Sequence, residues 1–530
     1  MKRVLWALPL AAVAVSAAAV ASAQPHGSPL LTGVPAANTR SPGYAPASLL
    51  SPELSQTVVA QGAMKLENRT AQVAYYGYDS DQVNAAGEPL MVPLPGAPTV
   101  EAHKTEPDKN TYLVFKKGLT GADADYDYGT HFLFQGHESG TPGYVTRVNL
   151  DADAAHRITL LATVPSGDID GSTWDPWAKR ILLTTENPAA PTYAVTPDFP
   201  GTVTDLSGSV GRGGFEGIQN DSDGNLWIAE DIGGANKKDA SGATTTARIP
   251  NSYLFRYVPR SPGDLANGKL QVLQVKNAAG QPITQASQTA LNSPDQLALH
   301  TYGASFATRW LTVHDTATDG TAAFNANTLA LAKGGTPFKR PENGLFGPGS
   351  KFRDFYFDET GDTNATSPEN DTAGGWGSVF QLHQSDPSSD SGTLSIFFKA
   401  DEATAAFDNV AFLSKNLVTF VQDAGDTLHG QANALDSAWV LDVTRDYSHS
   451  GAQPLRWLAE GRDASATIDS ATPTGNDGDN EITGATVSDG DTSTGGILGA
   501  KVPDLNNDKW RWFYTQQHGD NLTYEVTLNR

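Results

Sequence analysis

Five stretches of this chain repeat one plan, in which a carboxylate opens an apolar run, a turn reverses the chain, and a second apolar run ends at another acid. The clearest copy runs from Phe215-Glu216 through the turn at residues 221–224 to Glu230-Asp231. The other four copies cover residues 175–186, 295–315, 340–359 and 407–423. Strand pairs repeated along a chain are typical of a propeller or another radial array. We therefore predict an all-β chain, a β-propeller with loops and short helical additions, in which acids at strand ends meet near the centre.

The composition supports a turn-rich β protein without covalent cross-links. The chain has 52 glycines and 32 prolines, and few long apolar helical patterns. It has no cysteine, which excludes disulfides, a thiolate nucleophile and thiolate metal ligands. Packing of the core must therefore stabilise the fold, and 530 residues are enough to bury a large one.

The first residues predict export. Lys2 and Arg3 precede an apolar run over residues 4–20, and Ala21-Ser22-Ala23 is typical of a signal cleavage site. A membrane anchor is the alternative interpretation of this run. We predict a signal peptide at residues 1–23, an arm rich in Pro, Ser and Ala at residues 24–55, and a single β-propeller domain at residues 56–530. The mature protein is then secreted or periplasmic, and it has no further apolar run long enough to cross a membrane.

The charge is strongly acidic and excludes nucleic acid as a partner. The full chain has a net charge of −23, and removing Lys2 and Arg3 with the signal makes it −25. Proteins that bind nucleic acid present basic surfaces instead. An acidic balance suits an exported monomer that holds divalent cations, and solubilising acidity is the simpler alternative.

The chain lacks most of the short motifs that identify a class of enzyme. The chain has no Gly-x-Ser-x-Gly elbow, no Walker phosphate loop, no His-Glu-x-x-His and no dinucleotide fingerprint. What remains is the set of acids at repeat boundaries, joined by His137-Glu138 and Arg340. Hard oxygen ligands favour calcium, magnesium, manganese or ferric iron. The planar fork of an arginine beside them suits a phosphate oxyanion.

Each of these residues also has a structural interpretation. Glu216 and Asp408 precede apolar runs and would serve equally well to fix turns. Arg340 before a proline is also typical of an exposed loop cation, and a lone His137 is typical of a histidine with satisfied hydrogen bonds. Polar stretches at residues 237–246, 361–375 and 464–494 predict loops, and the acids at residues 476–481 favour a solvated loop over a calcium loop.

Seven segments, taken in chain order, resemble motifs of the PhoX-type alkaline phosphatases, which are exported β-propeller enzymes that hydrolyse phosphate monoesters. Arg340-Pro341-Glu342 is similar to that family's Arg-Pro-Glu, and residues 211–217 are similar to its Gly-Arg-Phe-x-His-Glu-Gly. The other segments are residues 76–81, residues 135–138 with the following 143–148, and residues 251–257, 407–410 and 517–520. The resemblance spans residues 75–526.

The resemblance implies a six-bladed propeller with iron and calcium ions at the mouth of its central channel and a small phosphorylated substrate. Arg340 is then the catalytic residue that contacts the phosphate. The metal ligands that the resemblance implies are Glu138, Glu216, Glu342, Asp408 and Asp423. Asp170, the acid nearest the position of the family's cysteine, and Glu186, which closes the repeat at residues 175–186, complete the predicted set.

Four departures from the family's pattern affect the metals and the route of export. The family uses a cysteine as an iron ligand, and counting back from Pro176-Trp177 puts Asp170 near that position. Calcium is therefore the expected cofactor, whereas iron loses its thiolate ligand. Gly136 stands where the family has asparagine, and Phe215 where it has histidine. Lys2-Arg3 is not a twin-arginine signal, so we expect the general secretory route.

Two other classes of function remain open at this point. One is a non-catalytic calcium-binding propeller, which the missing cysteine and the altered motif neighbours favour. The other is a different propeller hydrolase, similar to a phytase or a lactonase. A phytase needs a basic pocket for a polyanion, and the sequence shows no cluster of Lys and Arg. A lactonase would keep the acids and make Arg340 dispensable.

Overall fold

The structure, a computed structural model, describes most of the chain from residue 48 onward. The described residues are 31–35, 48–70, 73–78, 92–94, 97–100, 105–138, 142–432, 434–449, 451–461, 481–488, 496, 498, 501–517 and 521–529. The predicted signal at residues 1–23 and most of the predicted arm lie outside them. In the described part, no helix is long and apolar enough to cross a membrane.

In the first two-thirds of the chain, strands pair mostly with their neighbours in sequence, except the first two, which pair with strands near the C-terminus. The N-terminal strands are β1 (Leu49–Leu50), β2 (Leu54–Ala60), β3 (Val92–Leu94) and β4 (Ala97–Val100). The next two sheets hold β5 (Thr111–Val114), β6 (His131–Gly136), β7 (Gly143–Asn149) and β8 (Ile158–Val164), then β9 (Ile169–Asp175), β10 (Arg180–Thr185), β11 (Tyr193–Val195) and β12 (Val203–Asp205).

A nine-stranded sheet follows and consists of two four-stranded halves joined by one strand. The first half and its side hairpin are β13 (Phe215–Asn220), β14 (Leu226–Glu230), β15 (Asn236–Lys238), β16 (Thr244–Arg248), β17 (Leu254–Pro259) and β18 (Gly268–Val275). The joining strand is β19 (Phe306–Asp315), and the second half is β20 (Gly344–Phe346), β21 (Asp354–Glu359), β22 (Ser378–Gln384) and β23 (Ser391–Lys399). The hairpin β15–β16 forms a separate two-stranded sheet.

The last two sheets complete the array. They are built from β24 (Phe407–Phe412), β25 (Leu417–Gln422), β26 (Ser437–Asp442) and β27 (Leu455–Ala459), then β28 (Ile482–Val487), β29 (Trp512–Gln516) and β30 (Leu522–Leu528). The described helices are short: α1 (Pro294–Leu299), α2 (Thr316–Asp319), α3 (Ala326–Lys333), α4 (Gly425–Ala432) and a 3-10 helix (Gln285–Gln288).

Six innermost strands form a closed ring, which confirms the predicted all-β propeller. In the described residues, β5, β9, β13, β20, β24 and β28 each lie against the next, and β28 returns to β5. Each is the inner edge of a four-stranded antiparallel unit. The last unit is completed by β2, which pairs with β30 and so joins the two ends of the chain. Apolar side chains from neighbouring units fill the space between them, as Phe134 and Trp174 do between the first two.

Two of the five predicted repeats are placed differently by the structure. Residues 294–299 form α1, because the Ser293 side chain caps its first turn and Pro294 suits the first helical position. The strand that follows, β19, joins two units at their outer edges. Asp175 ends β9 and accepts hydrogen bonds from the Trp177 and Ala178 amides at 2.9 Å, so it fixes a turn.

The predicted loops are corrected in two places. The stretch 237–246 contains most of the hairpin β15–β16, and β28 lies inside the stretch 464–494. The alternating apolar run of β28 is short, and the polar residues on both sides of it make it hard to recognise as a strand from the sequence. The stretch 361–375 holds turns without a strand or helix, as expected.

Candidate metal centre

The same backbone turn recurs just before the acid at the inner strand in five of the six units. Two residues before each inner acid, the backbone adopts a positive φ, at Glu106 (51°), Asp168 (58°), Gly214 (61°), Arg340 (56°) and Ala406 (58°). The acids that follow are Asp108, Asp170, Glu216, Glu342 and Asp408. Non-glycine residues rarely adopt positive φ, so its recurrence indicates that the same local turn is imposed in each unit.

A hydrogen bond then ties each of these turns to the end of the second strand of its unit. The carbonyl of the left-handed residue accepts the amide of Glu138, Glu186, Asp231, Thr360 or Asp423 at 2.9–3.0 Å. Four of these five residues are acids, so each such unit places a second carboxylate beside the first. In the sixth unit, Glu481 precedes β28, and its carbonyl accepts the Gln517 amide at 2.9 Å. The repeat in the sequence therefore has a physical basis: one acid lies at the start of the inner strand, and a second acid lies beside it at the end of the next strand.

The inner acids converge in three overlapping groups. In each group, one carboxylate oxygen per residue lies within 4.8 Å of the others, and the groups are Asp108, Glu138 and Asp170; Asp170, Glu186 and Glu216; and Glu216, Glu342 and Asp408. Six of the seven predicted metal-ligating acids are members. Asp423 belongs to no group, but its amide donates to the carbonyl of Ala406, two residues before Asp408, at 3.0 Å.

The electrostatics of these acids fit a bound cation. Burial and the neighbouring carboxylates raise the pKa of Asp170 and Glu216 well above the ordinary value. Burial, together with nearby acids, raises the pKa of Glu186 to about 8 and that of Asp408 to about 7. Carboxylates in such surroundings stay ionised at neutral pH only if a cation neutralises them.

Two oxygens provide a separate test of fit. Asp108 Oδ1 and Asp170 Oδ1 are buried and have no hydrogen-bond partner among the described residues. Buried acceptors left in this way are costly unless a ligand satisfies them. All the donor atoms of the three groups are carboxylate oxygens, the set that hard divalent cations prefer. The residues present therefore fit a hard metal ion.

Amide side chains hold these carboxylates in place. Asn343 Nδ2 donates to Glu216 Oε1 at 2.8 Å and to Asp408 Oδ1 at 3.2 Å. Gln517 Nε2 donates to Glu138 Oε1 at 2.7 Å and to Asp108 Oδ2 at 3.0 Å. Partners of this kind orient metal ligands and tune their affinity.

A buried lysine lies beside the same acids. Lys109 Nζ donates to Asn409 Oδ1 at 2.9 Å and to the Ala485 carbonyl at 3.0 Å. Burial lowers the pKa of Lys109, while Asp408 and Asp108 oppose that change. Its two hydrogen bonds thus hold the Lys109 amino group in place next to the acids.

Arg340 is bound into the site instead of lying free in a loop. Its Nε and Nη2 donate to Asp231 at 2.6–3.0 Å, and Nη2 lies 3.0 Å from Glu342 Oε1. Although burial opposes it, the charges of Asp231 and Glu342 raise the pKa of Arg340. The side chain is 23% exposed, and among the described residues Nη1 has no partner. Nη1 is therefore the guanidinium nitrogen left for an anionic ligand.

His137 is a core residue and not a ligand. Its Nδ1 and Nε2 each lie 2.9 Å from a threonine hydroxyl, of Thr105 and Thr146 respectively. The ring is fully buried, and burial lowers its pKa to about 3. The structural interpretation of His137 is the right one, whereas its neighbour Glu138 belongs to the acid groups.

Sequence reasoning missed three acids of the centre. Asp108 precedes the four-residue β5, too short to stand out as an apolar run. Asp231 was seen as a closing acid, but its pairing with Arg340 depends on contact between two units. Glu481 was assigned to a solvated loop, yet burial and the charge of Asp423 raise its pKa well above the ordinary value. The signal that could have found it is its position directly before the alternating run of β28.

Comparisons with known proteins show a family whose sequence model matches part of the chain and solved structures that are similar in fold. Residues 245–497 match the family described as alkaline phosphatase PhoX. The solved structure of Pseudomonas fluorescens PhoX in complex with vanadate, a transition-state analogue, aligns with a TM-score of 0.55 and 11% identity, covering 94% of this chain and 98% of that one. An auxiliary nutrient binding protein from Bacteroides thetaiotaomicron aligns with a TM-score of 0.34 and 9% identity, covering 84% and 82%. No curated protein sequence matches the chain.

Proposed function

Since residues 245–497 match the model of the PhoX alkaline phosphatase family, a family of metal-dependent phosphatases, we propose that the chain is an exported enzyme that hydrolyses phosphate monoesters. The main support for this proposal is the set of three overlapping carboxylate groups, together with the contact between Arg340 and Glu342, a member of the third group. This arrangement joins cation-binding oxygens to a fixed donor for a phosphate oxygen. The proposal therefore depends on particular residues of this chain and not on the fold alone.

The chain's own residues divide the work of binding. Arg340 Nη1 donates to a phosphate oxygen, while Asp231 fixes the plane of the guanidinium through its two contacts. Such a preorganised donor stabilises charge as it develops on the transferring group. A divalent cation bound by the acids supplies Lewis-acid polarisation of the phosphoryl group. Asn343 and Gln517 hold the carboxylates ready, so that little reorganisation accompanies binding.

Calcium is the metal we propose, held by Glu138, Asp170, Glu186, Glu216, Glu342 and Asp408, with Asp423 nearby. The support is an all-oxygen donor set, which calcium accepts in flexible geometry. Asp170, near the position of the family's cysteine, shares two of the three groups. A carboxylate there still suits ferric iron as a hard ligand, so iron is the alternative metal.

Elemental analysis of the purified protein, combined with an assay of p-nitrophenyl phosphate with and without chelator, tests this proposal. We expect bound calcium, hydrolysis in its presence, loss of hydrolysis in chelator and recovery on adding calcium back. Hydrolysis that survives complete removal of metal would overturn the metal-dependent mechanism.

The pairing of Arg340 with Asp231 favours one alternative, a calcium-binding propeller without catalysis. That pairing occupies two of the three guanidinium nitrogens and leaves only Nη1 for substrate. Bound calcium with no hydrolysis of any phosphate monoester would support this alternative.

A further inference from the structure

A polar cavity of about 330 Å³ lies beside the proposed catalytic residues, and the function above does not use it. The hairpin β15–β16, the loop after β21 and the start of α4 form its wall. Side chains from these three segments line it, among them Asn236, Thr246, Arg248, Asn364 and Thr427. Apart from Ala424 and Gly425, every lining residue carries a hydroxyl, an amide or a charge.

The lining segments continue directly from residues of the metal centre. Ala424 follows Asp423, and the loop begins just after Thr360, whose amide donates to the Arg340 carbonyl at 2.9 Å. A side-chain carbon on Gly233, two residues after Asp231, would lie 3.4 Å from Arg248 Nη1. The cavity therefore adjoins the centre on the side where Arg340 lies.

Arg248 is the cation of this cavity that remains open to a ligand. Its guanidinium contacts the Gly234 carbonyl at 3.5 Å, and no carboxylate in the described part of the chain forms an ion pair with it. The carboxylate of Asp362, which also lines the cavity, is already engaged. Its Oδ2 accepts from Lys339 Nζ at 2.9 Å and from Ser367 Oγ at 2.6 Å, and its Oδ1 accepts the Arg248 amide at 3.0 Å.

The charge of Arg248 is informative about the ligand. Arg248 is the one cation among the residues that line the cavity, and the one acid there, Asp362, is already bonded to Lys339 and Ser367. Arginine in a partly enclosed polar site suits a carboxylate or a phosphate, which it binds with two parallel hydrogen bonds. The volume is at the small end of ligand sites, which limits the occupant to a small polar molecule no larger than about a sugar phosphate.

We propose that this cavity receives the leaving group of the phosphate ester and that Arg248 selects leaving groups that carry a second anionic group. This inference depends on the proposed phosphatase function. The reactive phosphate lies at Arg340 and the acids, and the alcohol portion of the ester extends into the cavity. The second anionic group, a carboxylate or another phosphate, accepts hydrogen bonds from Arg248.

The ratio of kcat/KM values for matched esters tests this assignment. For a carboxylate, 3-phosphoglycerate is compared with glycerol 3-phosphate; for a second phosphate, fructose 1,6-bisphosphate is compared with fructose 6-phosphate. We expect the calcium-loaded wild type to prefer the ester with the second anion in at least one pair. Arg248→Gln should reduce that preference about tenfold or more, the scale of losing one hydrogen bond to a charged group.

The control is Arg260→Gln, because Arg260 is exposed just beyond β17, at the end of its unit opposite the metal centre. This control should keep the wild-type preference, and thermal melts confirm that both variants are folded. Equal efficiency for both members of each pair, or a preference unchanged in Arg248→Gln, would overturn the role of Arg248 alone. If the wild type hydrolyses p-nitrophenyl phosphate but none of the four esters, this inference fails alone; if it hydrolyses no phosphate monoester at all, the proposed phosphatase function fails with it.

Discussion

Arg340 and Glu342 are two residues apart and contact each other, but they are proposed to act differently, one on the phosphate and one on the metal. Substituting each of them should therefore have a different effect. Glu342→Gln keeps the shape of the side chain and removes its charge, so we expect lower metal content and loss of activity. Arg340→Ala should leave the metal bound and reduce turnover about 100-fold or more, the scale of losing one oxyanion donor. Metal content by elemental analysis and turnover of p-nitrophenyl phosphate are measured on both variants. Wild-type turnover in Arg340→Ala would remove the catalytic assignment of that residue.

Glu53 gives a pH dependence that does not involve the metal centre. Its carboxylate accepts hydrogen bonds from the Ser51 hydroxyl at 2.6 Å and from the Thr32 hydroxyl at 2.6 Å. Although burial opposes them, these bonds lower the pKa of Glu53 from 4.5 to about 2. A lowered pKa stabilises the folded state above the unfolded value, and this stabilisation is lost as the pH falls toward the folded value.

We therefore expect Glu53→Gln to melt at a lower temperature than the wild type at pH 7. The difference should shrink as the pH falls from about 4.5 to about 2, where the wild-type carboxyl takes up its proton. Melts of both proteins across that range measure it. A difference that stays constant with pH would show that the charge of Glu53 contributes nothing.

At the scale of the element, the left-handed turn before each inner acid is the part that places the carboxylates. Gly214 adopts a φ of 61°, and a side-chain carbon there would lie 2.8 Å from the Glu186 carbonyl. We expect Gly214→Ala to destabilise the fold by about 1–2 kcal/mol from the left-handed conformation alone, with a further cost from that contact. Gly242, with a φ of 86° and no atom within 4 Å of such a carbon, is the matched control.

Denaturant unfolding and metal analysis of Gly214→Ala and Gly242→Ala measure these effects. Because Gly214 carries the turn that precedes Glu216, we expect lower metal content only in Gly214→Ala. Equal destabilisation and equal metal content in the two variants would show that the turn does not position the ligand.

The sequence predicted those units in which one acid opens an apolar run and another acid closes the next run. Glu216, Glu342 and Asp408 each lie in or just before an inner strand, β13, β20 and β24 respectively. The copy at residues 295–315 is wrong because a serine cap and a proline start a helix, a local effect that an apolar pattern does not show. The first and sixth units were missed because β5 is short and β28 is surrounded by polar residues. Which acids touch depends on how the units meet, information that no single repeat contains.

At the scale of the whole molecule, the converging acids make stability depend on cations. Carboxylates of like charge repel one another, and a bound ion adds free energy to the native state alone. A free concentration 100 times the dissociation constant adds about 2.7 kcal/mol. We therefore expect a higher melting temperature in excess calcium than in chelator. Identical melting temperatures in the two solutions would contradict a structural role for calcium.

The prediction about export concerns the N-terminal segment of the chain. The predicted signal at residues 1–23 lies outside the described residues, so its removal is tested chemically. We expect N-terminal sequencing of protein recovered outside the cytoplasm to begin at or near Gln24. An intact Met1 on soluble protein would contradict the predicted cleavage.

The pairing of β2 with β30 gives the molecule a particular order of assembly. β2 and β30 are far apart in the sequence, so the sixth unit remains incomplete until both segments are available to pair. The ring of inner strands closes through that unit, where β28 lies against both β24 and β5. A chain that stops short of β30 therefore keeps every acid of the three groups but lacks the strand pair that joins its two ends.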